Sequence, residues 1–199
     1  MNEQDGFQVN ESIDVQDLTD VKQERSLIPV AQAVLVRIAK TDKSPRILTN
    51  ANPEKGKVAD LKSLGVAFEL VEGVPTTDTE TGETVMKYRG MKLSTGIMDL
   101  PVWANLEAVS QSGKNAGKTR SDINWWKKSQ HLVGTKQFCQ ALDIPLAGLK
   151  VNDEFLTELV GRELRIDIGH EKAQVQNPET GEYVDSGELV NRIKAYRKA

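Results

Sequence analysis

The run SGKNAGKT at residues 112–119 comes closest to a known chemical motif. A phosphate-binding P-loop needs a glycine, any four residues and then Gly-Lys-Ser/Thr, which requires its first glycine at position 112. Ser112 stands there, and Gly113 comes one position too late. The preceding segment, NLEAVSQ, is not a buried strand of the kind that presents a P-loop. We therefore expect a flexible loop that contacts phosphates without hydrolysing a nucleotide.

Other catalytic sets are missing from the sequence. No serine lies in a nucleophile elbow, and neither His131 nor His170 lies beside a plausible cysteine or serine partner. With Cys139 as the single cysteine, a zinc site of Cys and His ligands is close to excluded. We expect no enzyme and no cofactor. A metal-dependent nuclease or an NTPase is the least favoured alternative, because nothing singles out a set among the carboxylates Asp99, Glu107, Asp153, Glu154 and Asp167.

Two stretches of the chain concentrate positive charge. Residues 37–62 carry seven bases and three acids, and residues 113–128 carry five bases and one acid, so each has a net charge of +4. Lysines often do no more than solvate a loop. Here they cluster although the whole chain has a formal net charge of −3, which favours a track for a nucleic-acid backbone. Binding to such a track weakens steeply as salt rises.

Stacking on unpaired bases needs aromatic rings beside those charges, and each stacked base contributes about 1–3 kcal/mol. Tyr88, Trp103 and Trp125 are the candidates, with the core as the alternative place for each ring. Together with the basic clusters they give the predicted nucleic-acid contacts: Arg37, Lys40, Lys43, Arg46, Lys55, Lys57, Lys87, Tyr88, Arg89, Lys92, Trp103, Lys114, Lys118, Arg120, Trp125 and Lys127.

The N-terminal segment has the opposite charge. Residues 1–25 hold seven acids and two bases, a net of −5, whereas the rest of the chain has a net of +2. The apolar residues of this segment follow no sustained period, so we predict a flexible acidic arm over residues 1–26 and a nucleic-acid-binding domain over residues 27–199. The arm could occupy a basic groove as a mimic of nucleic acid, or recruit replication or recombination proteins. A homo-oligomer is compatible with this organisation.

Apolar periodicity predicts the elements that would carry these residues. Strands are expected near residues 30–40, with Val30, Val34, Val36 and Ile38 on one face, and near residues 65–72, 84–95 and 162–170. A hairpin turn, PTTDTETGET, leads into the third of these strands. A last extended piece is expected over 189–196, a main helix over 123–142 with Val133 on its apolar face, and a short helix over 153–160. A long connection, residues 41–63, follows the first strand. This order, with the main helix between strands three and four, is that of the OB-fold, a small Greek-key barrel. We therefore expect a mainly β, OB-fold-like five-stranded barrel.

Several pieces of the sequence carry a family resemblance: GVAFELVEG, FCQALDIP, FLTELVGRELRIDIGHE, GEYV and NRIKAY. They resemble small phage proteins from replication and recombination modules, many of them known only as a domain of unknown function. The resemblance covers roughly residues 27–197, while the 41–63 connection and the acidic arm depart from it. It implies an OB-like fold and largely sequence-independent binding of single-stranded DNA. The alternative is a protein-interaction or inhibitor module that uses the barrel loops.

The expected cellular location follows from the absence of sequence features for membrane insertion, secretion or disulfide formation. No apolar run approaches the ~20 residues that span a bilayer. The acidic N-terminus does not have the basic and then apolar order of a signal peptide. A single cysteine cannot form an internal disulfide, which is typical of a reducing cytoplasm. We expect no membrane association and a cytoplasmic location, in the host cell if the protein is encoded by a phage.

Overall fold

The computed structural model describes residues 27–51, 58–96, 98–110, 115–125, 130–177 and 183–199, and the predicted arm over residues 1–26 lies outside them. The fold is mainly β, as expected. The described residues form ten strands and two helices: β1 (Ala31–Ala39), β2 (Arg46–Thr49), β3 (Leu61–Gly65), β4 (Ala67–Leu70), β5 (Val74–Thr77), β6 (Thr84–Lys87), β7 (Lys92–Ser94), β8 (Pro101–Ala104), α1 (Gln130–Ala141), α2 (Asp153–Leu159), β9 (Glu163–Gln176) and β10 (Tyr183–Arg197).

Five antiparallel strands form the main sheet, in the order β10-β9-β1-β4-β7. Val36 of β1 lies opposite Leu70 of β4 and Leu164 of β9, and all three side chains are fully buried. Because side chains alternate along a strand, this row belongs to the core face of the sheet. The predicted alternation is confirmed for the buried residues Val66, Phe68, Leu70, Leu164, Ile166 and Ile168.

The start of β1 differs from its expected alternation. The register with β9 shifts between Ala31 and Val34, and Ala33 has a φ of 53°. The prediction that Val30 shares a face with Val34 is wrong, because the irregularity turns the chain and leaves Val30 68% exposed. Asp167 of β9 stabilises this conformation by accepting a hydrogen bond from the Ala33 N–H at 2.9 Å.

The strand expected over residues 84–95 is two strands in two sheets. β6 pairs with β5 in a hairpin, as the turn sequence predicted, whereas β7 pairs with β4 at the edge of the main sheet. Tyr88 and Gly90, with φ values of 68° and 79°, separate them. A positive φ cannot continue an extended strand, so the chain changes direction here.

The expected long connection over residues 41–63 also contains regular structure. β2 and the start of β3 lie within it, and together with β8 they form a three-stranded antiparallel sheet in the order β2-β3-β8. Leu61 and Leu64 of β3 are buried against the rest of the protein. This second sheet carries most of the site described below.

The two helices lie between β8 and β9 in the chain. Phe138 of α1 packs edge-on against Phe68 and against Tyr196 of β10, with ring centroids 6.3 Å and 5.6 Å apart. Val133, expected on the apolar face of this helix, is 53% exposed, which corrects that expectation. Asn152 caps α2 by accepting from the Phe155 N–H, and Gly161 follows the helix with the left-handed φ of 82° that its position requires.

The predicted barrel is not closed. No pairing joins β7 to β10 among the described strands, and the main sheet is accompanied by one three-stranded and one two-stranded sheet. Eight strands precede α1, rather than the three expected. Within the described part of the chain, neither helix has the length and apolar character needed to cross a bilayer.

Candidate nucleic-acid interface

Trp103 lies at the exposed centre of the candidate interface. Thr49, Lys62 and Trp103 are direct cross-strand partners on β2, β3 and β8, so their side chains form one row on the same face of the sheet. Trp103 is 44% exposed, unusual for so large an apolar side chain. The Lys62 ammonium lies over its ring, 5.3 Å from the centroid. The row therefore presents an indole and an adjacent cation to solvent.

Arg120 and Trp125 form a second pair of the same kind. The Arg120 guanidinium lies over the Trp125 ring, 5.5 Å from the centroid. Arg120 is held in place by an ion pair with Asp60 at 3.2 Å and by hydrogen bonds to the backbone oxygens of Asp60 and Asn105 at 2.7 and 3.0 Å. It is therefore a fixed platform rather than a mobile surface charge.

Asp60 connects the two pairs. The Asn105 N–H donates to the Asp60 carbonyl at 2.8 Å, which continues the β3–β8 ladder by one residue pair. Asp60 precedes Lys62 by two residues in an extended segment, so the two side chains lie on the same face of the strand. Their positions are about 7 Å apart along the chain. Asp60 is itself oriented by Asn50, whose side-chain oxygen accepts from its N–H at 3.0 Å. We call the surface formed by Thr49, Asp60, Lys62, Trp103, Lys118, Arg120 and Trp125 the tryptophan face.

Lys118 adds a third positive charge to this face. It lies in a loop that folds back on itself, where Ser110 donates its N–H to the Lys118 carbonyl at 2.9 Å. The nearest carboxylate in sequence, Asp122, accepts from the Thr119 backbone and hydroxyl groups, which hold its pKa below the usual range, and the charge of Lys118 lowers the pKa further. Lys62, Lys118 and Arg120 against Asp60 leave the tryptophan face positive.

Four of the predicted contacts thus come together here: Trp103, Lys118, Arg120 and Trp125. Lys62 was counted in the basic cluster but was not singled out as a contact. The role of Lys62 depends on the strand register that pairs it with Trp103, a residue distant in the sequence. Apolar alternation gives no such cross-strand register. The spacing Asp60-x-Lys62 on a strand is the one sequence signal that could have suggested a shared face.

Other predicted contacts lie on the outer face of the main sheet. Arg37 of β1 forms an ion pair with Glu163 at 2.9 Å, and its other cross-strand neighbour is Glu69. Lys92 of β7 also lies opposite Glu69. Acids and bases therefore alternate across this face, which makes it a weaker phosphate track than the tryptophan face.

Lys40, Lys43 and Arg46 surround the turn between β1 and β2, where Thr41 and Ser44 form an isolated bridge. All three side chains are exposed, and none forms an ion pair with another described residue. Arg46 lies opposite Gly65, at the end of β2 away from Thr49 and on the other face of the strand. The structure therefore leaves these charges available but does not bring them into the tryptophan face.

Tyr88 lies where the chain turns between β6 and β7. It is half-buried and packs against the hydrophobic core, the alternative considered for each aromatic ring. Its neighbour Lys87 approaches Asp78 at 4.0 Å, and Arg89 is exposed. The remaining predicted contacts lie outside the described residues: Lys55, Lys57, Lys114 and Lys127.

Two of the carboxylates considered for a metal site have structural partners instead. Asp99 accepts from the Gly96 N–H at 2.5 Å and pairs with Arg192, and Asp167 pairs with Arg197. No cluster of three metal-ligating side chains occurs in the part of the chain that the structure describes. Comparison of the chain with protein-family models, with curated proteins and with solved structures finds no match.

Proposed function

We propose that this protein binds single-stranded DNA on the tryptophan face, largely without sequence preference. The observation that carries the proposal is the exposed Lys62–Trp103 pair, an indole and a cation side by side on one row of a sheet. An indole stacks on any base, and the neighbouring cation neutralises a phosphate. The Arg120–Trp125 pair repeats the arrangement beside Asp60, two residues before Lys62 in the chain.

A single strand suits this face better than a duplex does. Stacking on a protein side chain requires a base that has left its own stack, as the bases of a single strand readily do. Duplex readers instead insert a helix or a ribbon into a groove. The longer helix, α1, packs against β10 and β8 and buries Phe138 in the core rather than projecting.

The strand order supports an OB-like arrangement within this proposal. Five antiparallel strands in the order β10-β9-β1-β4-β7 follow the Greek-key order of an OB-fold barrel that is open between its third and fifth strands. The resemblance to phage replication and recombination proteins points the same way. Phage DNA replication or recombination is the process in which we place the protein.

A protein-binding role is the second candidate. β9 continues to Gln176 although its pairing with β1 ends at Ile168, so the two-stranded ribbon of β9 and β10 extends beyond the main sheet. Val175 and Val184 face each other on this ribbon and are 50% and 44% exposed. Exposed apolar pairs on a projecting ribbon favour contact with another protein.

Fluorescence anisotropy with labelled oligo-dT and a duplex of equal length, each at two salt concentrations, separates the two candidates. The proposal predicts a preference for oligo-dT and an affinity that falls as salt rises. Equal binding to both DNAs would contradict it. Binding to neither would leave the protein-binding role as the better account.

A further inference from the structure

A half-open cavity of about 250 Å³ lies beside Trp125 on the tryptophan face. It is lined by Trp125, Arg120 and Ile123, by the loop residues Ala108, Val109, Ser110, Asn115 and Lys118, and by Asp60. This space has room for a single nucleobase.

The wall of the cavity has the composition of a base-binding site. An indole and a guanidinium plane are the two side-chain surfaces on which unstacked bases lie in single-stranded nucleic acids. Asn115 supplies a donor and an acceptor, and Lys118 adds a positive charge to the lining for the phosphates of a bound strand. Ile123 and Ala108 supply the apolar part of the lining.

The cavity is also held in shape before any ligand arrives. Arg120 keeps its position through three contacts to Asp60 and Asn105, and its N–H donates to the Ala108 carbonyl at 3.1 Å. The Trp125 N–H donates to the Arg120 carbonyl at 2.9 Å. A preformed site avoids the entropy cost of ordering side chains on binding.

We propose that this cavity, the Trp125 pocket, receives one unstacked nucleobase of the bound strand while a neighbouring base stacks on Trp103. The inference rests on the proposed function and deepens it. The strand then makes two kinds of contact on this face. Stacking on Trp103 is open and tolerates any base, whereas the Trp125 pocket receives a single base between its walls.

The test compares oligo-dT with an oligomer of equal length and charge whose sugars carry no bases. In Trp103→Ala protein the open stacking surface is gone, so any remaining preference for oligo-dT comes from a base bound elsewhere. We expect this variant to bind oligo-dT about ten-fold more tightly than the abasic oligomer. Adding Ala108→Phe, which fills the pocket, should abolish the preference. Ala147→Phe, an exposed alanine in another loop, is the matched control.

The outcomes separate the pocket from the proposed function. Loss of preference in Trp103→Ala protein alone, or an unchanged preference after Ala108→Phe, overturns the pocket and leaves single-stranded DNA binding standing. Binding of wild-type protein to neither oligomer overturns both. If the Ala108→Phe protein does not fold, loss of the preference in the Trp103→Ala protein alone still overturns the pocket.

Discussion

At the scale of single residues, the two cation–indole pairs differ in how firmly they are built. Arg120 is clamped by Asp60 and by two backbone carbonyls, so its charge is partly neutralised and its position is fixed. Lys62 forms no ion pair with another described residue and remains exposed over Trp103. Lys62 is therefore better able than Arg120 to exchange its solvent ions for a phosphate.

Lys62→Met should weaken oligo-dT binding and flatten its dependence on salt. One phosphate contact to a single strand contributes about 0.7 to the slope of log affinity against log salt concentration, and the variant should lose that amount. Anisotropy titrations over a range of salt measure the slope. Lys136→Met, an exposed lysine of α1, is the matched control and should leave the slope unchanged. A Lys62→Met slope equal to that of wild type would remove Lys62 from the interface.

The carboxylate of Asp167 on β9 joins β1 and β10 through hydrogen bonds from Ala33 and Arg197. Hydrogen bonds from Arg197, at 2.5 and 3.1 Å, and then from the Ala33 N–H lower the pKa of this carboxyl below its ordinary value of 3.8. A lowered folded-state pKa means that the stabilisation is fully present above pH 3.8. It is lost as the pH falls through the lowered pKa.

Asp167→Asn should therefore lower the free energy of unfolding at pH 7 by about 1.5–3 kcal/mol, the range for hydrogen bonds to charged groups. The difference from wild type should narrow as the pH falls below 3.8, because wild type then loses the same charge. Urea unfolding of both proteins at several pH values measures this difference in the free energy of unfolding. Asp185→Asn, which removes an exposed partner of Lys172, should cost much less. A difference that stays constant down to pH 2 would contradict this role.

At the scale of elements, the sequence predicted the strands whose apolar residues alternate strictly, such as β4 and the first half of β9. It did not predict the places where the backbone takes a positive φ, at Ala33 and Tyr88, because hydrophobic periodicity carries no information on backbone dihedrals. β2 and β3 were missed for another reason. Leu61 and Leu64 are both buried although they are three residues apart, so β3 shows no clean alternation.

The irregularity at Ala33 gives a prediction for β1. A left-handed conformation costs an alanine about 1–2 kcal/mol, and glycine avoids most of that cost while giving up about 0.5–1 kcal/mol of unfolded-state entropy. Ala33→Gly should therefore stabilise the protein slightly, by about 0.5 kcal/mol. Ala31→Gly in the same strand lacks the positive φ and should destabilise it by about 1 kcal/mol. Urea midpoints in the reverse order would show that Ala33 is not strained.

At the scale of the whole molecule, charge is divided between two parts of the chain. Residues 1–25 carry a net charge of −5, and the remainder carries +2. We propose that this acidic segment competes with nucleic acid for the tryptophan face, a competition that salt would screen. The sequence alone predicts this division of charge, and it also predicts four of the residues on the tryptophan face. It could not give the register that brings Lys62 beside Trp103.

Replacing the seven acids of this segment by their amides, in the full chain, should raise affinity for oligo-dT at low salt. The gain should shrink at high salt, because screening weakens the competing segment as well as the DNA. Anisotropy titrations at two salt concentrations compare the variant with wild type. Equal affinities at low salt would show that the segment does not compete. The substituted residues are Glu3, Asp5, Glu11, Asp14, Asp17, Asp20 and Glu24.

Stacking of single-stranded DNA on Trp103 is tested most directly by one comparison, the oligo-dT affinity of the Trp103→Ala protein against that of wild type. Loss of one stacked base costs about 1–3 kcal/mol, which predicts a dissociation constant about five-fold to 150-fold higher. Met86→Ala, at an exposed apolar residue of β6, is the control and should bind as wild type does. Unchanged affinity of a folded Trp103→Ala protein would contradict the account.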